Sequence, residues 1–128
     1  MNFSQSVNTC FSKYVTFSGR AIRSEYWWFF LFFSLAIWIS DFVIDLIVFT
    51  PGDEGDLIRS LLSLVVMIIF LIPFAAVSCR RLHDIGVSGW WQFLPFTGIG
   101  VIPLYIMTLM RSQPKENRFG PNPLANEN

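Results

Sequence analysis

Two long apolar segments limit what this chain can fold into. Residues 27–49 and 57–78 are mostly hydrophobic, and the stretch between them contains residues expected to interrupt a helix, Pro51, Gly52 and Gly55. A helix of about 23 residues is about 34 Å long, enough to cross the roughly 30 Å hydrocarbon core of a bilayer. The chain is 53% hydrophobic and 14% charged, and a domain this small cannot bury so much apolar surface. We therefore predict an all-α integral membrane protein with a single membrane domain over residues 1–128.

The charge and cysteine content argue against several functions. Nine basic and nine acidic residues give a formal net charge of zero, whereas nucleic-acid-binding domains usually carry a strong basic excess. Cys10 and Cys79 stand far apart, without the paired spacing of metal or redox sites, and we expect both to be small buried side chains. We therefore predict no metal, no cofactor and no nucleic-acid partner.

The N-terminal residues, 1–20, show helical periodicity. Their composition is too polar for a secretory signal peptide, which has a continuous apolar middle. Apolar side chains recur at the spacing of one helix face, at positions Phe3, Val7, Phe11 and Tyr14. Ser, Gln, Asn and Lys side chains lie on the opposite face. We predict an amphipathic helix that lies at the membrane surface.

A third apolar segment, residues 90–110, is long enough to cross a bilayer but contains four helix breakers, Pro95, Gly98, Gly100 and Pro103. Such a segment is either a broken third span or a re-entrant hairpin that turns back near Thr97. Two legs of about ten residues reach about 15 Å each, roughly half the depth of the hydrocarbon core. The polar, proline-rich tail, residues 111–128, is expected to be extended.

Basic residues indicate which side of the membrane each loop occupies. Because Lys and Arg are retained on the cytoplasmic side, the basic residues before the first span and after the second predict a cytoplasmic N-terminus: Lys13, Arg20, Arg23, Arg80 and Arg81. The turn between the spans is expected outside, because it carries Asp53, Glu54 and Asp56. The re-entrant alternative is favoured by basic residues of the tail, which three complete spans would place outside: Arg111, Lys115 and Arg118.

Three motifs carry a family resemblance. They are FSGRAIRSEYWWF at 17–29, RRLHDIGVSGWW at 80–91 and NRFGPNP at 117–123. In their order and spacing the chain resembles, over nearly its whole length, a bacterial inner-membrane family known as domain of unknown function 805. The resemblance implies a small multi-helix protein of the inner membrane. It supplies no catalytic residue, because the family has no established activity.

The charged residues at the predicted cytoplasmic face have a structural and a functional interpretation. If the second span continues to Asp84, then Arg80 and Asp84 can pair on one helix face, and Gly86 can end the helix. Glu25 can pair with an arginine of this turn and tie two helix ends together. The functional interpretation is a site for a protein partner or an anionic lipid, in which Arg81 is available to a lipid phosphate. The candidate residues are Arg20, Arg23, Glu25, Arg80, Arg81, His83, Asp84 and Trp90.

An enzymatic interpretation is the weakest. His83 next to Asp84 has the residue types of an oriented general base. Neighbouring residues on a helix point about 100° apart, however, so the two side chains do not form a dyad by themselves. No Ser or Cys nucleophile motif accompanies them. We therefore expect no catalytic residues.

Two acidic residues lie inside the first apolar segment. Asp41 and Asp45 are four residues apart, hence on one helix face. Asp45 lies about 6 Å from the outer end, where it can be hydrated or pair with Arg59. A charge near the bilayer centre costs about 2.5–3.5 kcal/mol. Asp41 is therefore either a functional group that faces water or protein, or a protonated side chain hydrogen-bonded between helices.

Two functional hypotheses from different classes follow. The first is a non-enzymatic membrane module that binds a protein partner or an anionic lipid through a cytoplasmic Arg/Trp face. The alternative is a small oligomeric carrier or channel that uses Asp41 and the broken third segment. With so few helices, polar residues inside the bilayer favour a homo-oligomer or a larger membrane partner.

Overall fold

The computed structural model describes residues 1–49 and 51–125, which form four α-helices, one 3₁₀-helix and no β-strand. The α-helices are α1 (Phe3–Ser12), α2 (Arg23–Ile47), α3 (Asp53–Asp84) and α4 (Val101–Leu109), and a 3₁₀-helix, Gly89–Thr97, lies between α3 and α4. Thr50 of the predicted acidic turn and residues 126–128 of the predicted tail lie outside the described residues. The described part of the chain is therefore all-helical, as predicted.

Two of these helices are long and apolar enough to cross a membrane. α2 has 25 residues and α3 has 32, and only 6% and 17% of their most apolar stretches are buried. A core helix of a soluble protein of this hydrophobicity is mostly buried. The exposed apolar surface of α2 and α3 therefore favours lipid as their surroundings.

Both long helices begin before the predicted apolar segments, although α2 ends at Ile47, two residues before the predicted end at 49. α2 begins at Arg23, and α3 runs on to Asp84, after which Gly86 has a φ of +84° and ends the helix, as the sequence indicates. The prediction that Gly55 interrupts the helix is wrong, because α3 begins two residues before it. Acidic residues in its first turn stabilise this start by complementing the positive end of the helix dipole: Asp53, Glu54 and Asp56.

α1 is shorter than the predicted N-terminal helix, because it ends at Ser12 and residues 13–20 lie outside it. Its apolar side chains pack against α2. The ring of Phe11 contacts Phe29 and Phe32 edge-on, with centroid separations of 5.8 and 5.6 Å. α1 is thus fixed to the long helices by aromatic contacts.

The third apolar segment is broken into two short helices at Gly98, which has a φ of +80°. Both ends of the segment lie beside the C-terminal end of α3. At its start, Gly89 packs so closely on Cys79 that an added Cβ atom would lie 2.0 Å from the sulfur. At its end, the backbone N–H of Gln113 donates to the carbonyl oxygen of Asp84 at 3.2 Å. The segment therefore returns to the place where it began.

The buried apolar core lies at this same end of the long helices. It consists of Cys10, Ala21, Tyr26, Phe29 and Val77. Farther along α2 and α3, most large apolar side chains are exposed. The core therefore supports the region in which the charged motifs of the sequence meet.

Candidate functional site

Five charged side chains are buried together at the C-terminal end of α3. They come from the segment before α2, from its first turn and from the last turns of α3, and each is at most 7% exposed: Arg20, Glu25, Arg80, Arg81 and Asp84. We call these five residues the hub. Charged side chains are almost never fully buried unless they are paired, so their partners determine what the hub does.

Asp84 is the carboxylate that joins two arginines. Its Oδ1 atom accepts a hydrogen bond from Nε of Arg20 at 2.9 Å, and its Oδ2 atom accepts one from Nη1 of Arg81. The predicted pair of Arg80 with Asp84 is therefore wrong. Both Arg80 and Arg81 lie within one turn of Asp84, and the packing of α2 on α3 directs Arg80 to a different carboxylate.

That carboxylate is Glu25, in the first turn of α2. Nη1 of Arg80 donates to Oε1 of Glu25 at 2.5 Å, which ties the start of α2 to the end of α3. α1 covers this pair, because the hydroxyl of Ser6 donates to the Glu25 carbonyl at 2.5 Å. The Nε and Nη2 atoms of Arg80 are buried without a hydrogen-bond partner.

The remaining N–H groups of the hub hold the C-terminal part of the chain. Arg20 donates to the carbonyl oxygens of Gln113 at 2.6 Å and of Lys115 at 2.9 Å. Arg81 donates to the carbonyl oxygen of Thr108 at 3.1 Å, and also to that of Met110. This burial leaves Arg81 no exposed surface, in contrast to the expectation that it is available to a lipid phosphate.

His83 lies beside the hub but does not contact the Asp84 carboxylate. Its Nδ1 atom lies 3.1 Å from the Gly19 carbonyl oxygen, and its Nε2 atom lies 3.5 Å from the sulfur of Cys79. The ring stacks on Phe119 with a centroid separation of 3.8 Å. His83 therefore joins the N-terminal motif to the tail motif.

Cys10 is a thiol packed against the hub, which the sequence did not associate with it. Its sulfur lies 3.9 Å from Oε1 of Glu25. Burial, together with the negative charge of Glu25, raises the pKa of Cys10 to about 12. A thiol nucleophile reacts as the thiolate, so at neutral pH Cys10 behaves as a small apolar side chain.

Two residues predicted for the site are exposed outside the hub. Trp90, at the start of the 3₁₀-helix, is 79% exposed. Arg23 is also exposed and lies in a cleft of about 610 Å³ between the start of α2 and the end of α4. We call this space the Arg23 cleft. Its lining residues are Met1, Ile22, Arg23, Ser24, Trp27, Leu109, Arg111, Ser112 and Leu124.

Asp41 and Asp45 lie on α2, far from the hub. Oδ1 of Asp41 accepts a hydrogen bond from the hydroxyl of Ser63 at 2.7 Å. Asp45 lies 3.6 Å from Nε of Arg59, which also pairs with Asp56 at 2.7 Å. Each carboxylate thus has a partner on α3.

These features define a class: small all-helical membrane proteins whose charged motifs meet at one end of two long apolar helices. Residues 14–121 match the family model described as "Protein of unknown function (DUF805)". The chain belongs to that family, which confirms the resemblance carried by its three motifs.

Two relatives support this assignment. The chain is 38% identical to "Inner membrane protein YhaH" of Escherichia coli (strain K12) over 114 residues, which cover 87% of this chain and 89% of YhaH. It is 36% identical to "Inner membrane protein YhaI" of the same strain over 119 residues, covering 91% and 92% of the two chains. No solved structure matches the chain significantly. Together with its two apolar helices, these likenesses make the chain a small inner membrane protein of unknown function.

Proposed function

We propose that this protein is a non-enzymatic membrane module that binds anionic phospholipid at the end where the hub lies. The proposal rests on the difference between the buried and the exposed basic residues at this end. The three arginines of the hub are buried in ion pairs. Four other basic residues are exposed in the same region and form no ion pair among the described residues: Arg23, Arg111, Lys115 and Arg118.

The contacts of the hub hold the segments that carry these residues at the same end of the molecule. Arg20 holds the backbone of Lys115, and Arg23 reaches the carbonyl oxygen of Leu109 at 3.4 Å. Exposed basic residues at a membrane surface attract anionic lipids by about 1 kcal/mol each. Because anionic lipids are abundant in the cytoplasmic leaflet, we also propose that the hub faces the cytoplasm, in agreement with the distribution of Lys and Arg.

Exposed tryptophans at this end support a location at the membrane–water interface. Trp28 is 40% exposed and Trp90 is 79% exposed. Tryptophan is enriched where a bilayer meets water, since its ring is apolar and its N–H group can be hydrated. Basic and aromatic side chains therefore share one end of the molecule, as lipid headgroup binding requires.

A binding role fits the site better than catalysis does. Both carboxylates of the hub accept hydrogen bonds from arginine, and His83 contacts a backbone carbonyl and a buried thiol. A general base must reach the proton of a substrate, and these groups are occupied within the protein. The hub is better suited to hold the exposed basic residues in place.

The test is lipid retention by the purified protein. Protein in mild detergent is mixed with equal amounts of phosphatidylglycerol and phosphatidylcholine, and bound lipids are counted by native mass spectrometry. We expect phosphatidylglycerol to be retained preferentially, and more weakly as salt is raised. Substituting Gln for all four exposed basic residues should abolish the preference.

A matched control changes charged residues at the other end of α3. Asp53→Asn with Glu54→Gln alters exposed side chains of its first turn and should leave the preference intact. Equal binding of the two lipids by the unaltered protein would contradict the proposed function.

A further inference from the structure

We infer that the Arg23 cleft binds the phosphate group of a single phospholipid. This inference rests on the proposed function and assigns it to one site. Four features of the cleft carry it: two uncompensated guanidinium groups, the uncapped start of a long helix, a buried indole N–H without an acceptor, and apolar walls.

The two arginines of the cleft come from opposite ends of the sequence. Arg23 is the first residue of α2, and Arg111 follows α4 by two residues. Both side chains are exposed, and neither forms an ion pair among the described residues. Arg23 makes one long hydrogen bond, 3.4 Å, to a backbone carbonyl oxygen. Arginine is suited to phosphate because its N–H groups match two phosphate oxygens at once.

The start of α2 adds further hydrogen-bond donors. Its N-cap residue is Ile22, which has no polar side chain, so no side-chain cap is formed there. The first N–H groups of a helix lack partners within the helix and favour an anion. Ile22 and Ser24 both line the cleft, and Ser112 supplies a second hydroxyl.

Trp27 provides a donor that the protein leaves unused. Its ring packs edge-on against Tyr105 with a centroid separation of 5.5 Å, and its Nε1 atom is buried without a hydrogen-bond partner. Buried polar groups without partners are rare and costly in proteins. Because Trp27 lines the cleft, a small rotation of its ring on binding would bring this buried N–H group to a ligand oxygen.

The walls of the cleft distinguish a lipid from a free anion. Trp27, Leu109 and Leu124 contribute apolar surface beside the arginines. The volume of about 610 Å³ is within the range of about 300–1,000 Å³ that is usual for small-molecule sites. A phosphodiester with glycerol and the first carbons of its acyl chains matches this combination, whereas inorganic phosphate leaves the apolar walls uncovered.

The test compares single substitutions inside and outside the cleft. Phosphatidylglycerol is titrated into the full-length protein in mild detergent, and the first binding event is followed by native mass spectrometry. Arg23→Gln and Arg111→Gln should each weaken it about fivefold. Lys115→Gln and Arg118→Gln remove the same charge outside the cleft, where it acts on lipids bound later, and should weaken this first event less than twofold. Trp27→Phe keeps the ring and removes the N–H group, and should weaken binding about threefold.

The outcomes separate the cleft from the proposed function. If all four single charge substitutions weaken binding equally, the lipid preference stands but the cleft is not its site. If the unaltered protein does not prefer phosphatidylglycerol over phosphatidylcholine, the proposed function itself fails. Inorganic phosphate at millimolar concentration should not displace the lipid, and displacement would overturn the assignment to a phospholipid. Unchanged circular dichroism and elution volume confirm that each variant is folded.

Discussion

The ion pairs at the two ends of the long helices differ in burial: those of the hub are buried, and the pair at the other end is open to solvent. At the hub, the side chains of Arg20 and Asp84 are 1% and 0% exposed, whereas at the other end the side chain of Asp45, which lies near Arg59, is 72% exposed. A buried charge that loses its partner has no water to replace it, while an exposed pair is screened and contributes little. The hub therefore determines how segments meet, and the exposed pair does not.

The two ends also differ in what they connect. Asp45 and Arg59 join two helices that already pack along their length. The hub joins the segment before α2, the end of α3, the end of α4 and the tail, mainly through arginine N–H groups that donate to backbone carbonyls. Removing one hub residue should therefore disturb segments that have few other contacts.

The largest effect is expected at Asp84. Asp84→Asn keeps the shape of the side chain but leaves two buried guanidinium groups without a counter-charge, which should lower the free energy of unfolding by about 3–5 kcal/mol. Denaturant unfolding in detergent micelles, followed by circular dichroism, measures this loss. A loss no larger than that of Asp45→Asn would contradict the comparison between the two ends.

A smaller effect is expected at the other ion pair of the hub. Arg80→Met leaves Glu25 unpaired but also removes two buried nitrogen atoms that have no hydrogen-bond partner, so the loss should be about 1–3 kcal/mol. Adding Glu25→Gln to this variant should recover part of the stability, because the unpaired charge is then gone. Further destabilisation by the second substitution would show that Glu25 has a role beyond this ion pair.

An effect of intermediate size on the free energy of unfolding is expected at Asp41. Asp41→Asn keeps an oxygen that can accept the hydrogen bond from Ser63, so the free energy of unfolding should fall by about 1 kcal/mol or less. The same unfolding experiment measures it, with Ser63→Ala as a matched variant that removes the donor. A loss as large as that of Asp84→Asn would show that Asp41 is needed as a charge.

The smallest effect is expected at Asp45. Its exposed carboxylate is screened, so Asp45→Asn should change the free energy of unfolding by no more than about 0.5 kcal/mol. Measurements at low and high salt sharpen the comparison, since the loss caused by Asp45→Asn should shrink as salt screens the exposed pair. A loss that does not change with salt would contradict this explanation.

The sequence predicted the apolar helices well because their signal is local. Hydrophobicity and length identify both long helices, and the glycine after Asp84 marks the end of α3. The true starts of α2 and α3 lie outside the apolar segments, since polar residues that begin a helix do not add to hydrophobicity. Gly55 was wrongly predicted to interrupt a helix, because the acidic residues beside it stabilise the start of α3 and outweigh its low helix propensity.

The prediction that Glu25 pairs with an arginine of the turn is confirmed, but the sequence did not identify which arginine, because the partners are far apart along the chain. Helical spacing permits Arg80 or Arg81 to pair with Asp84, and only the position of Glu25 on α2 decides between them. The roles of Gln113 and Thr108 depend on their backbone carbonyls, which carry no sequence signal. The sequence predicts Arg23 as a candidate binding residue but uses Arg111 only as an indicator of orientation, since the proximity of the two arginines arises from the return of the third segment to α3.

The attachment of Arg81 to Thr108 and Met110 has a consequence for biosynthesis. Its carbonyl acceptors are translated 27 and 29 residues after the arginine, a delay of about 1.5–6 s at usual elongation rates. Of the hydrogen-bond partners of Arg81, only the carboxylate of Asp84 and the carbonyl oxygen of Ala21 belong to the part of the chain already translated during that interval. Completion of this end of the protein is therefore a late event of synthesis, because Arg81 can form its hydrogen bonds to Thr108 and Met110 only after the chain has been extended past Met110.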